Sequence, residues 1–194
     1  TREPEYRRAA YIGRIFQNPL LGTAGNMTIE QNMTLAYKKG FKSLRISLNR
    51  ARREEFRAGL AELQMGLENR LSDSVGLLSG GQRQSLSLLM TVMSRPQLLL
   101  LDEHTAALDP KNAELVLKLT ERFIGDHNLT AMMITHNMAH AIEMGNRLLM
   151  MDKGEIILDI SGEEKRKLTI PDLIDKFHQI RHHSFDSDKT LLSD

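Results

Sequence analysis

Hydrophobic positions along this 194-residue chain change period several times, and each change marks an element. Tyr11-Ile12-Gly13-Arg14-Ile15-Phe16 alternates as a strand does and stops at Gln17-Asn18-Pro19. Thr28-x-x-Gln31 has capping-box spacing and predicts a helix to about Lys39. From Asn49 to Leu71 the chain is charge-rich, with Phe56, Leu60, Leu63 and Leu67 spaced along one helix face. A further amphipathic helix runs from Ser79 to about Ser94 and ends at Arg95-Pro96, because the residue before proline is pushed out of helical geometry. Leu98-Leu99-Leu100-Leu101 reads as a strand buried on both faces and delivers Asp102 and Glu103 at its carboxyl end. Asp109-Pro110 supplies an N-cap and a favoured first residue for a helix through about Ile124, with Gly125 as its stop. Leu129 to Ile134 is a second buried strand, with Thr135-His136 at its carboxyl end. Arg147 to Met151 and Glu155 to Ile160, joined by Asp152-Lys153-Gly154, predict a hairpin, and Ile170, Leu173, Ile174, Phe177 and Ile180 an amphipathic helix. The tail after His183 is expected to fray.

Strand, helix and strand at this spacing make a βαβ unit, which implies an α/β fold with a parallel sheet. It also places Asp102, Glu103 and His136 on the rim where ligands of open α/β sheets bind. Ser79, Gly80, Gly81 and Gln82 put a hydroxyl and unhindered backbone N–H groups at a helix N-terminus, an anion site for phosphate oxygens. Hydrolysis of a phosphoanhydride needs a metal, a positioned water and donors aimed at the transferring group. Asp102 suits Mg²⁺, through a water, because that ion keeps much of its hydration. Glu103, one residue further, suits the general base that polarises the attacking water. Composition narrows the setting. Net charge is +1, so nothing global argues for nucleic acid or a membrane surface. The absence of cysteine excludes disulfides and thiolate metal sites, and no apolar run reaches the ~18–20 residues of a membrane span. Arg50, Arg52, Arg53 and Arg57, interleaved with Glu54 and Glu55, read as a solvated helix face, and His178, His182 and His183 as a solvated tail.

Residues 78–110, LSGGQRQSLSLLMTVMSRPQLLLLDEHTAALDP, resemble the signature and Walker B motifs of the ATP-binding cassette (ABC) ATPases. That resemblance implies a P-loop NTPase-like parallel sheet core with an inserted α-helical subdomain. Residues 1–19 would be the Q-loop strand and loop of the core, 20–76 the helical subdomain, 77–160 the catalytic core and 161–194 a C-terminal helix and tail. Gln17 resembles the Q-loop glutamine that reaches Mg²⁺ and the γ-phosphate, and His136 the switch histidine that holds the γ-phosphate, the water and Glu103. Ala107-Leu108-Asp109 resembles the D-loop, whose aspartate crosses a dimer interface, while Ser79 to Gln82 would close over ATP held by the partner of a head-to-tail dimer. His104 stands where the family usually has proline and is expected to bring a further titratable ring near the site.

The G-x-x-x-x-G-K-[ST] phosphate loop is nowhere in these residues, nor is an upstream aromatic to stack on adenine. The resemblance sets both upstream of the Gln17 strand, so the fold expected here lacks the N-terminal strands and phosphate loop. It also sets the strand leading into that loop beside the Asp102 strand. The function implied is the Mg²⁺- and ATP-dependent subunit of a bacterial importer of small, amino-acid-type solutes, on the inner face of the cell membrane. Its partners would be a second ATPase subunit, a transmembrane permease and an extracytoplasmic solute-binding protein, with no nucleic acid. The alternative is a soluble ABC-type ATPase of DNA repair or translation. The first would carry a long coiled-coil or zinc-bearing insert in place of residues 20–76, and the second two cassettes.

Overall fold

A computed structural model describes residues 2–37 and 49–179. They divide between two units, Thr1–Ile134 and Thr135–Asp194. The first carries α1 (Glu5–Arg8), β1 (Ile12–Ile15), α2 (Ile29–Tyr37), α3 (Arg50–Ala61), α4 (Gly80–Met93), β2 (Leu98–Asp102), α5 (Pro110–Asp126) and β3 (Thr130–Ile134). The strands form one parallel sheet in the order β1-β2-β3, with Ile12 opposite Leu98 and Leu98 opposite Thr130. The βαβ unit read from the sequence is β2-α5-β3.

Residues in register share a face of the sheet. Gly13, Ile15, Leu99, Leu101 and Met133 therefore lie on one face, and Arg14, Leu100, Asp102, Met132 and Ile134 on the other. Ile15, Leu99 and Leu101 are buried in one core with Leu86 and Leu89 of α4 and Phe123 of α5. The opposite face carries half-buried and exposed side chains. Met132 and Ile134 are 47% and 53% exposed, and β2 alternates buried and half-buried leucines. The expectation of two strands buried on both faces is corrected accordingly. Both edges of β2 are occupied, by β1 and β3, so a further strand cannot lie beside Asp102; among the described residues the free edges belong to β1 and β3.

Local chemistry accounts for the helices. Thr28 and Gln31 make the predicted capping box before α2: Gln31 N–H donates to Thr28 Oγ1 at 3.2 Å and Thr28 N–H to Gln31 Oε1 at 2.9 Å. Lys39 lies outside the described residues. The helix predicted from 49 to 71 stops at Ala61, because Gln64 and Gly66 adopt left-handed φ of 55° and 72°. Leu63, Leu67 and Leu71 still reach the core beside Phe56 and Leu60, presented by turns rather than by one helical face. The arginines of α3 are mostly paired: Arg53 with Glu30, Arg57 with Glu54, and Arg52 with Glu55 while also stacking 3.6 Å from the Tyr37 ring centre. Arg95 ends α4 in the left-handed region, φ 51°, not in the extended backbone that a following proline favours. Gly125 lies inside α5, and Asn128, φ 48°, makes the turn beyond it.

The second unit holds α6 (Met138–Glu143), β4 (Arg147–Asp152), β5 (Glu155–Ser161) and α7 (Gly162–Lys167), followed by helical residues 170–179. β4 and β5 form the predicted hairpin. Lys153 and Gly154 both take positive φ, 47° and 86°, the two-residue turn whose twist suits paired strands. Leu148, Ile160, Leu168 and Leu173 make its core, while Ile170 and Ile174 stay 42% and 37% exposed. Lys165 is buried and donates through Nζ to Ile142 O at 2.6 Å and Met144 O at 3.0 Å, holding the end of α6. Ile180, His182 and His183 lie outside the described residues.

Candidate functional site

The carboxyl ends of β1 and β2 bring together residues far apart in sequence. Asp102 ends β2, and Glu103 follows with φ 44°, a left-handed conformation uncommon for a glutamate. Its N–H donates to Ile134 O at 3.0 Å, so the sheet ladder continues through the very residue that breaks strand geometry. This turn carries the Glu103 carboxylate toward the loop after β1, where Gln17 Nε2 donates to Oε2 at 3.3 Å across 86 positions. Backbone strain held at such a point is a common mark of a working site.

Asp102 is engaged differently. Arg14 Nη2 donates to Oδ2 at 2.8 Å, with Arg14 and Asp102 side chains 52% and 38% exposed, and the guanidinium lies 4.7 Å from the Phe16 ring centre. The carboxylate therefore already sits where a positive charge is favourable, and it presents the hard oxygen that Mg²⁺ takes. No group of three or more His, Asp or Glu that could hold a metal occurs among the described residues. One carboxylate suffices where phosphates and waters supply the other ligands, as is usual for Mg²⁺. Gln17 adds an amide oxygen near Glu103.

Ser79 to Gln82 form a preorganised helix start. Gln82 N–H donates to Ser79 Oγ at 3.2 Å, and Ser79 N–H to Gln82 Oε1 at 3.1 Å. This cap takes two donors; the N–H groups of Gly80 and Gly81, in the first turn of the helix, have no acceptor within it and are of the kind that phosphate oxygens accept, although Gly81 itself is buried. Behind Gly81 stands α5: a Cβ there would lie 2.7 Å from Asn112 Cγ. Asn112 in turn donates through Nδ2 to Asp109 Oδ2 at 2.6 Å, and its N–H reaches Oδ1 at 3.2 Å. These bonds, the side-chain one first, hold the exposed Asp109 carboxyl below its ordinary pKa. The Ser79 to Gln82 segment and Asp109 thus share one packed corner, with Asn112 between them.

His136 lies just beyond β3 and belongs to the second unit, exposed, ahead of the Asn137 side chain that caps α6. His104 is a correction. Its ring is not placed for solution chemistry: the residue is 2% exposed and Nε2 lies 3.1 Å from Thr120 Oγ1. Because the Thr120 hydroxyl donates to Val116 O, the ring nitrogen is assigned as the donor. Arg14, Gln84 and Asn112 went unnoticed in the sequence. For Arg14 the strand alternation was a usable signal, since it sets that side chain on the face of Leu100 and Asp102 once the register is known.

Comparison with known proteins matches residues 2–106 to the family described as ABC transporter. The chain is 44% identical over 174 residues to the tyrosine transport ATP-binding protein of Clostridioides difficile (strain R20291), covering 89% of this chain and 69% of that protein. It is 41% identical over 125 residues to the aliphatic sulfonates import ATP-binding protein SsuB 1 of Paraburkholderia xenovorans (strain LB400), covering 64% of this chain and only 36% of that one. Among solved structures, the ADP conformation of MJ1267, an ATP-binding cassette of an ABC transporter, superposes with a TM-score of 0.65 at 22% identity, over 91% of this chain and 71% of that chain.

Proposed function

The chain belongs to the ABC transporter family, and from that premise we propose that the whole protein is the ATP-hydrolysing subunit of a bacterial importer of an amino-acid-type solute. Glu103 polarises the attacking water, Gln17 reaches the metal and γ-phosphate, and Asp102 holds Mg²⁺ once Arg14 is displaced. His136 contacts the γ-phosphate. Ser79, Gly80, Gly81, Gln82 and Asp109 serve the nucleotide of the partner in a head-to-tail dimer. The observation that carries the reading is the Gln17 to Glu103 hydrogen bond, which joins two separately recognised motifs at the strand ends.

The partners follow from surface and family. Leu20, Leu21 and Leu77 are 57%, 67% and 72% exposed, apolar side chains available to a membrane-embedded permease. No helix among the described residues is long and apolar enough to cross a membrane; in this reading the permease, by family, supplies the passage. The protein then works on the cytoplasmic face, and an extracytoplasmic solute-binding protein delivers the solute. The DNA-repair or translation alternative is set aside, because both relatives are named for transport or import.

In the full-length protein, Glu103→Gln should lower Mg²⁺-dependent phosphate release by ~10²-fold or more, the usual worth of a general base, while ATP binding persists. Near wild-type turnover would remove Glu103 from this role. The solute class is read separately, by uptake of labelled tyrosine into vesicles bearing the complete transporter. ATP-driven uptake of other solutes but not of amino acids would overturn that part alone.

A further inference from the structure

A buried carboxamide stands between the two halves of the site. Gln84, on α4, is 1% exposed. Its Nε2 donates to Phe16 O at 3.1 Å and to His104 O at 2.7 Å. Those carbonyls belong to the residue just before Gln17 and the residue just after Glu103. The orientation of the amide is dictated: turned over, Oε1 would face two carbonyl oxygens, acceptor against acceptor. In the orientation adopted, Oε1 is buried without a partner among the described residues. A glutamine kept here with one end unsatisfied is poorly explained by packing alone.

The surroundings make this link stiff. The His104 ring is held by Thr120, so that residue is fixed at both its carbonyl and its side chain. On the other side α4 lies against the β1 segment so closely that a Cβ at Gly13 would come within 2.5 Å of Thr91 Cγ2, and one at Gly22 within 2.4 Å of Ser87 Oγ. The Gln17 to Glu103 contact, by contrast, is long at 3.3 Å, so a shift of a few tenths of an ångström decides whether it forms.

We propose that Gln84 is a positioning residue for the hydrolytic pair: with both protons of one nitrogen it ties the backbone beside Gln17 to the backbone beside Glu103. The distance between the two side chains is thereby set by α4, the helix whose first turn is the anion-binding Ser79 to Gln82 segment. Movement of that helix on closure over nucleotide is transmitted to the base and its amide partner without passing through solvent. The inference rests on the ATPase reading above.

The test uses the full-length protein with Mg²⁺ and ATP. Gln84→Met keeps the volume and deletes both donors. It should lower kcat by ~10–100-fold, the scale of a small misplacement, with KM for ATP changed less than about threefold. In a Glu103→Gln background the same substitution should change the residual rate by less than about threefold, because Gln84 acts through Glu103. A merely structural role would instead reduce both backgrounds by the same factor. Gln84→Glu is the second variant, carrying the test if the methionine protein does not fold. Protonated, it donates one hydrogen bond and works in part; ionised, it donates none. Its kcat should fall with rising pH across a range where the wild type is level. Wild-type kcat in Gln84→Met, equal proportional losses in both backgrounds, or a Gln84→Glu profile parallel to the wild type at full rate would each overturn the proposal. A wild-type protein that releases no phosphate, or a Glu103→Gln protein at full rate, would instead remove the ATPase reading, and this proposal with it.

Discussion

At Ser79 two roles coincide in one hydroxyl. It caps α4 through Gln82 N–H, and its helix start is assigned to the partner's phosphate. The roles separate by substitution. Ser79→Ala removes only the cap and should cost about 1 kcal/mol in urea unfolding, the usual loss when a serine cap becomes alanine. Ser79→Arg adds bulk and charge at the same point and should abolish ATP hydrolysis while leaving binding of ATP to the monomer intact, as read by calorimetry. Hydrolysis retained at near the wild-type rate would take Ser79 out of the closing surface. The places of Ser79 at a helix start and of Glu103 at a strand end could be read from the sequence, since helix starts and strand ends have local signals. For Arg14 the alternation signals only a face of the strand, not its partner Asp102, and for Asn112 behind Gly81 there is no signal, because both contacts join elements whose register and packing no local pattern encodes.

At the scale of elements, α4 is the piece on which the rest of the first unit is assembled. It packs on β1 and α5, and its contact with β1 is made possible by Gly13. Gly13→Ala should destabilise the protein by about 1–3 kcal/mol, the common range for overpacking, because the added methyl meets Thr91 Cγ2 and Pro96. Thr91→Ser removes that methyl, so the double substitution should recover part of the loss. Strictly additive losses in urea unfolding would mean that the close approach is not the cause. Phe56, fully buried between α3 and the remaining core, is a second probe. Phe56→Ala should cost ~3–5 kcal/mol. The helical insert was legible as helical, yet its second helix ends at Ala61, because a 3.6-residue apolar spacing is equally met by turns that aim Leu63 and Leu67 inward.

For the whole molecule, the acid limb of stability follows from four carboxyls on the surface of both units. Hydrogen bonds from Asn112, Lys118, Arg147 and Thr169 hold Asp109, Glu114, Asp159 and Asp172 below their ordinary values. Each is depressed in the folded state, so its contribution is complete above the unfolded carboxyl pKa of about 4 and is lost as pH falls through the folded value. Stability should therefore be level from pH 7 to about 5 and decline below about 4; Asp159→Asn should weaken that decline in denaturant titrations. Lys165 acts in the same sense at the alkaline end: burial lowers its pKa, so the unfolded chain binds more protons as pH approaches the free lysine value, and stability gains a rising term there. Assembly is read by mixing. Full-length Ser79→Arg combined with a subunit whose phosphate-loop lysine is disabled yields one composite site with both halves intact, so hydrolysis should return. No activity in a proven heterodimer would refute action in trans. In the 194-residue chain itself, the sheet face of Met132 and Ile134 should bind an apolar-surface dye such as ANS.

The sequence by itself determined the elements that carry the chemistry: a βαβ unit with two carboxylates at a strand end, a capped glycine-bearing helix start, a hairpin with its turn. Period, capping spacing and turn residues are local, and each is complete within a few positions. Tertiary structure alone decided which faces of the strands are covered, that β2 has no free edge, and that His104 belongs to the core. It also decided that Gln84 reaches from α4 to both strand ends. Those outcomes depend on which distant segments meet, and an apolar or amide side chain looks the same in sequence whatever partner the fold brings to it.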